Sequence, residues 1–80
     1  MNIYFCSEAD NQSVGLYIIA PSRGAAKQIY EIRMHEPYID IRSRTVEKDI
    51  LADASRIIAV GDPLLKQYDL KYYDEKGEPI

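Results

Sequence analysis

The stretch Val14-Gly15-Leu16-Tyr17-Ile18-Ile19-Ala20-Pro21-Ser22-Arg23-Gly24-Ala25-Ala26-Lys27-Gln28-Ile29-Tyr30-Glu31-Ile32 decides the fold, because its apolar period changes halfway along. Up to Ala20 the pattern alternates: Val14, Leu16, Ile18 and Ala20 face one way, Gly15, Tyr17 and Ile19 the other, the period of a β-strand. Pro21 stops that strand, and Ser22 suits a helix N-cap, where its hydroxyl accepts a free N–H of the first turn. From Arg23 the period is helical. Ala25, Ala26, Ile29, Tyr30 and Ile32 share one face, and Lys27, Gln28, Glu31 and His35 share the other. Arg33 intrudes on the apolar side, with a stem able to pack while its head reaches water. Pro37 ends the run, so the main helix is expected over about residues 22–35.

Working outward, Ile3, Phe5 and Ser7 alternate with Tyr4 and Cys6, and the polar residues 8–13 connect them to the strand above as a β-hairpin. Beyond the helix, residues 38–46 return to period two: Ile39, Ile41, Ser43 and Thr45 on one side, Tyr38, Asp40, Arg42 and Arg44 on the other. Residues 47–60 are ambiguous. Ile50, Leu51, Ala54, Ile57 and Ile58 make a helical stripe, yet Ile57-Ile58-Ala59-Val60 is a run suited to a buried strand; a short helix over 47–54 and an extended segment over 56–60 are expected. Gly61-Asp62-Pro63 opens a short helix over 63–69, since Asp caps and Pro is preset for the first helical position. A last strand over 70–73 and a turn and tail over 74–79 complete the chain. The expected architecture is a single α+β domain over residues 1–80. It has a small antiparallel sheet, made of the N-terminal hairpin plus the strand near 38–46, packed on one main helix.

Eighty residues with 46% apolar content fit one small globular domain. A single cysteine excludes an intrachain disulfide and a Cys cluster for a structural metal, so stability must come from packing or association. A net charge of −3 argues against nonspecific nucleic-acid binding, which depends on neutralising phosphates. The first residues carry neither a basic region nor a long apolar run, and the longest apolar run, residues 16–21, is far too short for a membrane helix. A cytoplasmic protein with no membrane partner and no cofactor is expected.

Three segments carry a resemblance: Ala20-Pro21-Ser22-Arg23-Gly24-Ala25-Ala26-Lys27, Tyr38-Ile39-Asp40-Ile41-Arg42, and Tyr72-Tyr73-Asp74-Glu75-Lys76-Gly77-Glu78-Pro79. In these the chain resembles small uncharacterised proteins encoded in prophages and integrative elements of Gram-positive bacteria. The resemblance implies an accessory role in a mobile element, such as modulating a host or phage protein, and it transfers no site residues.

Four constellations are candidates for chemistry. Cys6 with His35 lacks the local motif and the third group of a nucleophile–base pair, and falls short of the donors a zinc site needs. Ser22, Arg23, Gly24 and Lys27 form a candidate anion site at the helix start; the GxxxxGK[ST] spacing is absent, and a capped helix with small residues packed on the hairpin explains the pattern more simply. The acidic pairs, Asp49 with Asp53 and the group Asp74, Glu75 and Glu78, read as solvated. A sheet face bearing Tyr4, Tyr17, Ile19, Arg42 and Arg44 is the most informative of the four. It could be covered by the C-terminal half as core, form a protein interface, or stack single-stranded nucleic acid. The acidic total favours the first two. The expected function is therefore non-catalytic protein binding, with a homodimer as one form of it, ahead of nucleic-acid binding and of an enzyme.

Overall fold

β1 (Asn2–Glu8) and β2 (Asn11–Ala20) pair antiparallel from Asn2↔Ala20 to Ser7↔Gly15, then shift register so that Glu8 faces Asn11. The computed structural model describes residues 1–35, 40–74 and 76–80. The hairpin is longer than expected: strand pairing runs into the polar residues assigned to the connection, leaving Ala9 and Asp10 as the turn. β3 (Ile41–Glu47) adds antiparallel on the far side of β1, and β4 (Arg56–Ile58) antiparallel on the far side of β2. The described residues thus form a four-stranded sheet in the order β3-β1-β2-β4. Tyr38 and Ile39, assigned to the start of the third strand, lie outside the described residues, as do Glu36, Pro37 and Glu75.

α1 (Arg23–Met34) connects β2 to β3 and packs across one face of the sheet. Ser22 caps it as expected, its Oγ accepting the Ala25 N–H at 3.2 Å, and His35 ends it in the left-handed region with its N–H on the Glu31 carbonyl at 3.0 Å. Tyr4, Cys6, Ile18 and Ala20 pack there against Ala26 and Tyr30. The helical stripe is narrower than its sequence: Ile32, 72% exposed, Arg33 and Met34 all face water, because the last turn of α1 no longer presses on the sheet.

The opposite face holds a second cluster, in which Ile3, Tyr17 and Ile19 pack against Ile50, Ile58 and Leu70. This covering is what residues 48–72 provide. Residues 48–55 form no helix, contrary to the stripe read from sequence. Asp49 takes a left-handed φ of 56°, its N–H donates to Asn2 Oδ1 at 2.9 Å, and the Ile50 N–H donates to the Met1 carbonyl at 2.7 Å. Docking on the first two residues therefore replaces the helical ladder, burying Ile50 and leaving Leu51 fully exposed. α2 (Pro63–Gln67) starts where Asp62 and Pro63 predicted, with Asp62 Oδ1 accepting the Leu64 N–H at 3.0 Å. Residues 70–73 do not join the sheet. They lie over it, Leu70 buried, and Tyr73 instead bridges to Pro79 across a turn held by Asp74 and a Gly77 with φ of 80°. Among the described residues, no helix is long and apolar enough to cross a membrane.

Candidate functional site

The register sorts the side chains of the second face into rows across the sheet. Arg44, Phe5, Tyr17 and Ile58 stand side by side, and Arg42, Ser7 and Gly15 form the next row. Ile50, Leu70 and their neighbours cover the end of the face near Ile3 and Ile19. They reach Phe5 only in part and leave Arg44 exposed, so part of the face stays open.

That opening is a cleft of about 260 Å³, with Phe5, Gly15 and Tyr17 as its floor and Val14, Arg44, Lys71, Tyr72 and Tyr73 around it. A smaller recess of about 70 Å³ continues past Phe5 to Ser7, Arg42 and Ser43. The floor is built from rings already engaged with one another. The Arg44 guanidinium lies 5.1 Å from the Phe5 centroid, Phe5 and Tyr17 are 4.9 Å apart at 60°, and Tyr17 and Tyr72 are 5.1 Å apart at 62°. Gly15 makes this possible. A Cβ there would overlap the Cys6 carbonyl oxygen and sit 2.8 Å from the Phe5 ring edge, so only glycine lets the ring lie across β2.

Of the residues assigned to this face from sequence, Tyr17, Ile19, Arg42 and Arg44 belong to it and Tyr4 does not. Tyr4 faces α1 at 4% exposure, with the Asn2 side-chain amide donating to its hydroxyl at 2.9 Å. The physical reason is parity: Tyr4 pairs with Ile18 and Thr45, both on the helix side, whereas Phe5 pairs with Tyr17 and Arg44. Tyr17 and Ile19 are buried at 7% and 1%, so for them the covered-core alternative is what the chain adopts. Arg42 and Arg44 remain exposed. Arg42 pairs with Asp40 at 3.4 Å in open solvent, which is worth little. Among the described residues, no carboxylate pairs with Arg44 or Lys71. The sequence does not single out Phe5, Val14 or Lys71 for this face. Tyr72 and Tyr73, gathered with Tyr68 near the C-terminus, suit from sequence either a partner surface or the rim of a small core, and they stand at the cleft.

At the helix start, Ser22 is committed to its cap and the Arg23 guanidinium donates to Thr45 Oγ1 of β3 at 3.4 Å. Gly24 is exposed, with open space where its Cβ would stand, so it is not the packing glycine expected from sequence. Lys27 is partly buried, near enough for its charge to act on the Cys6 thiol. Burial outweighs that charge and pushes the thiol up to about 11. A fully buried, protonated thiol is inert as a nucleophile, and His35 stands exposed at the far end of α1. Among the described residues, no group of three His, Cys, Asp or Glu side chains is placed to hold a metal ion.

A wider hollow of about 410 Å³ lies on the other side of residues 71 and 72, between α2 and Ile80. Two acids line it, Asp62 and Asp69; Asp62 is taken up by Arg56 and the Leu64 N–H, which together lower its pKa. Comparison with known protein families, with curated proteins and with solved structures gave no match.

Proposed function

We propose that this chain is a non-catalytic protein-binding module, an accessory or modulator of the kind carried by mobile elements, which docks an acidic segment of another protein against Arg42 and Arg44, at the β3 side of the cleft. One observation carries this reading: in a molecule of net charge −3, Arg42, Arg44 and Lys71 converge on an apolar, aromatic floor. An apolar centre rimmed by arginine and tyrosine is the composition of a protein interface. The cleft floor supplies an anchor pocket, and the cations supply sign selectivity.

The same cations and the half-exposed Tyr73 favour, as the second reading, a single-stranded nucleic acid. The state of the rings weighs against it. Stacking needs free ring faces, and here Arg44 covers Phe5, Tyr17 is buried, and Tyr72 is wedged edge-on against Tyr17.

A photo-cross-linking residue at exposed Val14, on the lip of the cleft, tests the choice in cells. Protease-sensitive adducts that vanish in the Arg42→Glu/Arg44→Glu protein are expected. Nuclease-sensitive adducts, together with oligonucleotide binding at low salt, would transfer the reading to nucleic acid.

A further inference from the structure

Resting on that protein-binding reading, we infer that the acidic segment is taken up as an added β-strand along the outer edge of β3. β3 is the end strand of the sheet, and among the described residues no strand pairs with its outer side.

The ladder identifies which main-chain groups that edge offers. The Tyr17 N–H points toward β4, since it donates to the Tyr72 hydroxyl, which itself donates to Ile58 of β4. In an antiparallel pair, facing residues either exchange both hydrogen bonds or turn both sets of groups away. Tyr17 turns away from β1, so its partner Phe5 does the same and bonds toward β3, where it faces Arg44. Asp40 confirms the phase, its carbonyl accepting the Ala9 N–H at 2.8 Å on the β1 side. Asp40, Arg42 and Arg44 therefore bond inward, and Ile41, Ser43 and Thr45 direct N–H and C=O outward.

Charge selects the occupant. Arg42 and Arg44 flank Ser43 on the open face, so a strand with carboxylates at alternate positions sets them opposite the guanidinium groups. A second copy of this chain fits the middle of the edge poorly: antiparallel self-pairing centred on Arg42, Ser43 or Arg44 sets arginine against arginine, and like charges directly opposite repel. A nucleic acid offers phosphates but no amide ladder for the outward groups of Ile41, Ser43 and Thr45. An acidic extended peptide meets both demands, main-chain and charge.

The probe is an acetylated, amidated octapeptide of alternating Glu and Val, titrated into the 15N-labelled full chain. Binding with a Kd below about 1 mM is expected, with slowed exchange of the Ser43 and Thr45 amides and loss of at least about tenfold in the Arg42→Glu/Arg44→Glu protein. All Glu amides of an extended peptide point to one edge and all Val amides to the other. N-methylating one set must therefore abolish binding while N-methylating the other leaves it intact. Ser43→Pro, which removes an outward donor without touching the β1 ladder, is expected to weaken binding in the same way.

Equal tolerance of both N-methylated peptides overturns strand addition and leaves the acidic-segment reading standing. No binding of this peptide, or of a flexible Glu/Gly/Ser peptide of equal charge, overturns both, and assigns Arg42 and Arg44 to guarding an edge against pairing. Concentration-dependent dimerisation abolished by Ser43→Pro overturns the choice of occupant.

Discussion

Tyr17 and Ile58 are register partners across β2 and β4, yet the hydrogen bond between them passes through a third residue. The Tyr17 N–H donates to the Tyr72 hydroxyl at 2.8 Å, and that hydroxyl donates to the Ile58 carbonyl at 2.6 Å. The Tyr17 hydroxyl returns the contact by donating to the Lys71 carbonyl at 3.2 Å. A side chain from the covering segment is thus built into the sheet, at the inner wall of the cleft.

Tyr72→Phe keeps the ring and removes this bridge, leaving a partly buried donor and acceptor without it. A loss of about 1–3 kcal/mol in denaturant unfolding is expected, with faster hydrogen exchange at the Tyr17 amide. An unchanged exchange rate would mean that β2 and β4 close directly.

Alkaline pH acts on one buried group, Cys6, and one partly buried group, Tyr72. Burial raises the Cys6 thiol from 9.0 to about 11, and raises the Tyr72 hydroxyl above 10.0. Above pH 9 the unfolded chain releases the thiol proton while the folded chain retains it, so the stability that the neutral thiol provides is complete below pH 9 and lost as pH rises through about 11; the Tyr72 share is complete below pH 10 and lost only above it. The thiol part amounts to roughly 2–3 kcal/mol. Urea midpoints are expected to stay level to pH 9 and fall beyond it. Cys6→Ala should shrink the loss between pH 9 and 11, leaving the share of Tyr72. Thiol reagents should leave the native chain unmodified at pH 8.

Gly15→Ala is expected to cost about 1–3 kcal/mol, because the methyl meets the Cys6 main chain and the Phe5 ring at once. The Phe5 ring must then lift from β2. The change should appear as altered Phe5 and Arg44 side-chain shifts as well as a lower midpoint.

The two small residues at the start of α1 should respond in opposite directions. Ser22→Ala removes the cap bonded to Ala25 and is expected to destabilise by about 1 kcal/mol. Gly24→Ala meets open space and restricts the unfolded chain, so a gain of about 0.5–1 kcal/mol is expected. Thermal unfolding of both variants checks the pair.

The local signals that proved legible were those with a mechanism inside a few residues. The change of period across Pro21 and Ser22 placed β2 and α1, and Asp62 with Pro63 placed the start of α2. What stayed hidden depended on partners far along the chain. Tyr4 and Phe5 are neighbours in an alternating strand, and only the register with β2 decides which of them accompanies Tyr17. Ile50 belongs to a convincing helical stripe, but Asn2 and Met1 draw residues 49 and 50 out of it. Residues 70–73 have the composition of a strand and use it to cover a sheet rather than extend one. The cleft inherits this: Arg42 and Arg44 were visible as a basic pair, while Lys71, Tyr72 and Tyr73 reach it only through that covering.

The bridge at Tyr72 also orders events in time. During synthesis the hairpin, α1 and β3 emerge long before residues 70 and 72, and until then the cover over Ile3, Tyr17 and Ile19 is incomplete. A chain stalled on the ribosome before Leu70 should therefore remain sensitive to protease and attract chaperones, and resistance should arise abruptly once Tyr72 has left the exit tunnel.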